Sequence, residues 1–121
     1  MKVLIVDDQQ TDLDKVIKAT LEVLPGAEIF ATTEEKEAMD IAQSQQPELA
    51  IIDVVLKEMH GYALCREIRE ITSGTMVIML TGSFSAIDNK LATKSGAYDF
   101  TVKTHNMGEY KSILKAMPLV V

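Results

Sequence analysis

Five short, mostly apolar runs, Lys2–Val6, Ala27–Ala31, Leu49–Asp53, Met76–Leu80 and Ala97–Val102, alternate along the chain with stretches whose apolar residues recur every three or four positions. No other feature constrains the fold as tightly. Runs of this length, bounded by turn residues, suit strands, whereas the intervening period is that of amphipathic helices. Strict alternation of strand and helix builds a parallel sheet, because neighbouring parallel strands need a crossover and the crossover is right-handed.

The punctuation agrees. From Asp12 the residues Leu13, Val16, Ile17, Leu21 and Leu24 form one helical stripe that Pro25-Gly26 ends. Thr32-Thr33-Glu34-Glu35 has the spacing of a capping box and predicts a helix running toward Gln45, closed by Pro47. Leu49-Ala50-Ile51-Ile52 is unbroken by polar residues, as a central strand covered on both faces requires. Gly61 precedes a helix with Leu64, Ile68 and Ile71 on one face, and Ser73-Gly74 turns the chain into the fourth strand. Ser85 with Asp88 predicts the cap of a short helix ending near Gly96, and Met107–Met117 reads as the last helix. The expected architecture is α/β: a doubly wound, five-stranded parallel sheet of order 2-1-3-4-5 with five flanking helices, the flavodoxin-like arrangement.

At 121 residues, 47% hydrophobic and 25% charged, the chain has the size and balance of one globular domain, 1–121, without repeats or low-complexity stretches. A net charge of -6 with scattered Lys and Arg argues against direct nucleic-acid binding. Cys65 is the single cysteine, which excludes an internal disulfide and fits a reducing compartment. The apolar run at the N-terminus stops at Asp7, far short of a signal peptide or membrane span, so a cytoplasmic location is expected.

The polar exceptions to the apolar strands fall at matching places: Asp7 and Asp8 after the first, Asp53 at the end of the third, Thr81 after the fourth and Lys103 after the fifth. In an open α/β sheet, ligands bind outside the carboxyl ends of the strands near the switch point, so these residues converge on one edge. Crowded carboxylates repel one another, and a hard divalent cation such as Mg²⁺ relieves that repulsion with oxygen ligands. Asp53 is then placed as an in-line nucleophile toward a phosphoryl donor, with Lys103 and the Thr81 hydroxyl available to the phosphoryl oxygens.

Over essentially its whole length the sequence resembles a response-regulator receiver domain, through Val6-Asp7-Asp8, Ile51-Ile52-Asp53, Leu80-Thr81-Gly82 and Gly96-Ala97-Tyr98-Asp99-Phe100-Thr101-Val102-Lys103. The resemblance implies that Asp53 is the phosphoacceptor and that Asp7, Asp8 and the backbone carbonyl of Val55 serve Mg²⁺. It also implies that Thr81 and Lys103 sense the phosphoryl group, while Phe100 is the aromatic switch residue coupled to Thr81. Such a protein receives its phosphoryl group from a histidine kinase or phosphotransfer protein. It passes the signal to a downstream target or linked output domain through its fourth helix, fifth strand and fifth helix. On that face Asn89, Lys90, Lys94, Tyr110 and Lys111 suit a transient partner or a weak homodimer.

Two departures from the family stand out. Thr104 occupies the place of a proline usually joined by a cis peptide, so a trans Lys103–Thr104 bond is expected. Lys57 takes the place of the usual proline after the phosphoacceptor, which predicts a more flexible loop and an altered field at Asp53. Val55 and Ser83 stand where the family tunes phosphoryl lifetime, and an apolar Val55 cannot orient a hydrolytic water, so slow dephosphorylation is expected.

Taken singly, Asp7-Asp8 reads as a solvated turn and Thr81 and Lys103 as an ordinary hydroxyl and surface lysine; their shared placement with Asp53 favours the functional reading, whereas Phe100 reads equally as a core aromatic or as the switch, which only its rotamers decide. His60 and His105 read as exposed loop residues and Cys65 as a small core hydrophobe. A Mg²⁺-dependent phosphohydrolase would need a second Asp where Val55 stands, and a flavin carrier would need a neutral phosphate cradle where Asp7-Asp8 stand. A receiver-like scaffold or dimerisation module that is never phosphorylated is the remaining alternative.

Overall fold

The computed structural model describes residues 1–56, 60–82 and 89–119. Its elements follow in strict alternation: β1 (Lys2–Val6), α1 (Gln10–Val23), β2 (Glu28–Thr32), α2 (Glu35–Gln45), β3 (Leu49–Asp53), α3 (Gly61–Ile71), β4 (Met76–Thr81), α4 (Asn89–Ser95), β5 (Asp99–Val102) and α5 (Gly108–Ala116). The strands form one parallel sheet in the order β2-β1-β3-β4-β5, as the sequence predicts. The switch point lies between β1 and β3, where Val3 to Val6 pair in register with Leu49 to Ile52.

Alternation along the strands divides the core in two. Leu4, Val6, Ala50, Ile52, Val77 and Met79 face α2, α3 and α4, whereas Val3, Ile5, Leu49, Ile51, Ile78 and Leu80 face α1 and α5. These residues are almost wholly buried, and at about 1.5–3 kcal/mol for each large aliphatic side chain this burial dominates stability. Covered on both faces, β3 has no room for a polar side chain until its last residue, Asp53.

Several local expectations are corrected. α2 starts at Glu35 without a side-chain cap, because Thr32 ends β2 and its Oγ1 accepts from the Glu34 N–H at 3.1 Å in a turn of its own. On α1, Leu21 is 37% exposed, and Ala19 and Thr20 are buried in its stead. Thr20 can face the core because its hydroxyl donates to the Val16 carbonyl at 2.7 Å and accepts from the Tyr110 hydroxyl, also at 2.7 Å. Tyr110 is therefore fully buried between α5 and α1 and is no part of the partner face expected for it. Lys111 turns to α1 as well, pairing with Glu22 at 2.9 Å. Ile71 is 41% exposed, while Cys65 is fully buried with its thiol donating to the Ser95 carbonyl. The Ser85–Asp88 cap lies outside the described residues.

Candidate functional site

The carboxyl ends of β1, β3, β4 and β5 bring Asp7, Asp8, Asp53, Thr81 and Lys103 to one edge of the sheet. Asp7 and Asp53 are buried and Asp8 is half-buried, and one carboxylate oxygen from each lies within 4.8 Å of the others. Lys103 Nζ stands 2.5 Å from Asp7 Oδ2 and 3.3 Å from Asp53 Oδ1. Backbone hydrogen bonds fix this geometry. The Lys103 N–H donates to the Thr81 carbonyl at 2.7 Å, the Val54 N–H to the Leu80 carbonyl at 2.8 Å, and the Gln9 N–H to Asp7 Oδ1 at 3.0 Å.

Burial raises the pKa of Asp53 from 3.8 to about 6; the charge of Lys103 opposes the rise and that of Asp7 adds to it. Burial also raises Asp7, against the Lys103 hydrogen bond and the Gln9 N–H. For Lys103, burial alone would lower the pKa, but the hydrogen bond to Asp7 and the charges of Asp53 and Asp7 outweigh it, and the ammonium is held protonated. One ammonium among several carboxylates leaves negative charge in excess. That is the field in which a hard divalent cation with oxygen ligands is stable.

Sequence reasoning missed one member of the site. Asp12, in the first turn of α1, places Oδ2 3.1 Å from Lys103 Nζ, so the lysine is held by three carboxylates. In the sequence Asp12 marks only a helix start, and its one signal is its position a turn beyond the Asp7-Asp8 pair.

Gly61 acquires a physical reason. A Cβ built there would lie 2.0 Å from the Asp53 carbonyl oxygen and 2.9 Å from Val54 Cα, so only glycine lets α3 start against the end of β3. The Gly61 N–H donates to the Val54 carbonyl at 2.8 Å, and Val55 pairs with His60 in an isolated antiparallel bridge. The Val55 side chain is 54% exposed. His60, exposed as expected, stacks on Tyr62 with ring centroids 5.4 Å apart.

Phe100 is half-buried and pairs with Met79 on β4, while Thr81 pairs with Val102. Thr81 and Phe100 thus stand diagonally on the face that packs against α2, α3 and α4. The Lys103–Thr104 peptide is trans. Thr104 finds a use where a proline was expected: its Oγ1 and Asn106 Oδ1 accept from the Gly108 N–H, the first of α5, at 3.2 and 3.0 Å. Lys57 and Ser83 lie outside the described residues. Among those described, no helix is long and apolar enough to cross a membrane.

Comparison with known proteins agrees with this fold. The chain belongs to the response regulator receiver domain family, which it matches over residues 3–115. It is 28% identical over 116 residues to a probable transcriptional regulator, ycf27, of Cyanophora paradoxa, covering 96% of this chain and 47% of that protein. It is 27% identical to the alkaline phosphatase synthesis transcriptional regulatory protein PhoP of Bacillus subtilis, covering 96% and 48%. The chain thus spans about half the length of these relatives. Among solved structures, a CheY-like receiver domain from Methanospirillum hungatei superposes with a TM-score of 0.80 at 26% identity, covering 94% of this chain and 90% of that one. The response regulator TrrA of Thermotoga maritima, solved in complex with Mg²⁺-BeF, gives 0.80 at 25% identity, with 94% and 96% covered. Receiver domains of this family belong to two-component response regulators.

Proposed function

We propose that the chain is a phosphorylation-activated switch of a two-component phosphorelay, accepting a phosphoryl group on Asp53 in a Mg²⁺-dependent reaction. The observation that carries this reading is the placement of Asp53 at the end of a fully buried strand, 3.3 Å from Lys103 and within 4.8 Å of Asp7 and Asp8.

Asp7, Asp8 and Asp53 would hold the metal, with the Val55 carbonyl as a further ligand; three converging oxygens suit a hard cation, and burial of Asp7 and Asp53 leaves their charge poorly solvated. Bound there, Mg²⁺ supplies charge neutralisation for the transferring phosphoryl group. The Mg²⁺-BeF complex of the Thermotoga relative supports this assignment.

An Asp53 carboxylate oxygen attacks phosphorus as the donor's bond to phosphorus breaks, giving an acyl phosphate and releasing the donor's leaving group. The donor is a histidine kinase or phosphotransfer protein. Lys103 follows the new phosphoryl oxygens as a point charge, and the Thr81 hydroxyl donates to another of them. With Thr81 drawn toward the site, Phe100 turns inward along the same face of β4 and β5, biasing a two-state surface. That surface of α4, β5 and α5, without Tyr110 and Lys111 but with Tyr98 48% exposed, presents the signal to a downstream target, a linked output domain or a second copy in a weak homodimer. The chain acts as one domain, 1–121, in the cytoplasm; it reads no nucleic acid itself and catalyses only its own phosphorylation and dephosphorylation.

Intact mass after incubation with acetyl phosphate tests the reading. A single phosphoryl adduct that needs both Mg²⁺ and Asp53 is expected. No adduct, or one that survives Asp53→Ala, would replace it with an unphosphorylated scaffold or with chemistry at another residue.

A further inference from the structure

Between α3 and α4 lies an open groove of about 330 Å³ that the phosphoryl chemistry does not use. His60, Tyr62, Ala63 and Arg66 form one wall, and Leu91 and Lys94 stand on the other. Its surface is mainly apolar, and two features there are unusual for a solvated face. Leu91 is 45% exposed, and the imidazole of His60 lies flat on the Tyr62 ring, the two planes 8° apart.

The charge on the groove is one-sided. Arg66 and Lys94 are exposed on its rim and, among the described residues, no carboxylate lines it, in a chain whose net charge is -6. An apolar floor between two cations is complementary to an apolar group flanked by carboxylates. A pocket for a free small molecule encloses most of its ligand, whereas this groove is open to solvent. Its volume suits one aromatic side chain, with the chain that bears it lying across the rim. Arg is the residue best fitted to take a carboxylate there in a two-pronged grip.

We propose that the α3–α4 groove docks an acidic segment of a partner protein, seating one aromatic side chain between Tyr62 and Leu91 and pairing carboxylates with Arg66 and Lys94. The floor is tied to the acidic site through the Val55–His60 bridge and the Gly61 N–H on the Val54 carbonyl. Occupancy nonetheless requires no phosphoryl group, so binding is read in the unmodified chain and does not depend on the function proposed for Asp53.

The test is an amide-resolved NMR titration of the intact chain with a blocked acidic peptide carrying glutamates on both sides of a central phenylalanine. Saturable shifts centred on Tyr62, Ala63, Leu91 and Lys94 are expected, with a Kd of about 0.1–1 mM. Arg66→Glu combined with Lys94→Glu should weaken binding by about tenfold or more while leaving the rest of the spectrum in place, since both residues are exposed. Replacing the peptide's phenylalanine by alanine should weaken it comparably. Four results would overturn the proposal: no saturable shift, shifts centred elsewhere, unchanged affinity after charge reversal, or equal binding of a lysine-for-glutamate peptide. Benzoate alone matching the peptide would overturn it too, making the groove a small-molecule pocket.

Discussion

Lys103 is the residue on which the site balances. Three carboxylates, those of Asp7, Asp12 and Asp53, share one ammonium, and each contact to one is attraction withheld from the others and from an incoming phosphoryl group. Asp12 is the least buried of the three, so removing its charge disturbs the fold least while withdrawing one of the lysine's three partners. Asp12→Asn should speed adduct formation from sub-saturating acetyl phosphate by about three- to tenfold, because the field at the site becomes less repulsive to an anion. A slower or unchanged rate would show that Asp12 does not restrain the lysine. Asp53 supports a prediction about stability. Its folded pKa, about 6, lies above its ordinary 3.8, so the stability it contributes is complete below about pH 4 and is lost as pH rises through about 6. Without divalent cations, Asp53→Asn should therefore gain on the parent chain between pH 4 and pH 7, by on the order of 2–3 kcal/mol in urea unfolding. A stability difference between the two that does not change with pH would contradict the cause assigned to the shift. Gly61 is the third such residue. A methyl group there meets backbone at 2.0 Å, and Gly61→Ala should cost about 3 kcal/mol or more in the same assay.

At the scale of elements, the hydrogen bond between Thr20 and Tyr110 joins α1 to α5, and both side chains are fully buried. Tyr110→Phe should cost about 1 kcal/mol in unfolding free energy, since the Thr20 hydroxyl keeps its bond to the Val16 carbonyl and loses only the donor aimed at it. An unchanged stability would mean that this bond adds nothing to the docking of α5. The same pair shows why helix faces were harder to read than strands. A threonine and a tyrosine look like surface residues in a helical stripe until each supplies what the other lacks, and that pairing spans 90 positions of sequence. The misread cap of α2 is related: Thr32 has the spacing of a capping box, but the β2 ladder keeps it in a strand paired with Val6, and its hydroxyl serves the turn instead.

For the whole molecule, the sheet was legible because its rules are local. Parallel strands buried on both faces are continuous apolar runs, and a polar residue at the end of such a run can only lie at the sheet's edge. Asp7, Asp53, Thr81 and Lys103 were found in that way. Asp12 and the docking groove were not, since they depend on how α1, α3 and α4 are rotated against the sheet, which no run of sequence encodes. The resulting molecule has a core packed on both faces of the sheet and a crowded acidic edge, and the proposed function turns on which atom at that edge takes the phosphoryl group. The most direct test is borohydride reduction of the acetyl phosphate-treated chain, followed by peptide mass mapping. An acyl phosphate at Asp53 is reduced to the corresponding alcohol, so homoserine at position 53 alone, dependent on Mg²⁺, is the predicted result. Homoserine at position 7 or 8, or none at any position, would contradict it.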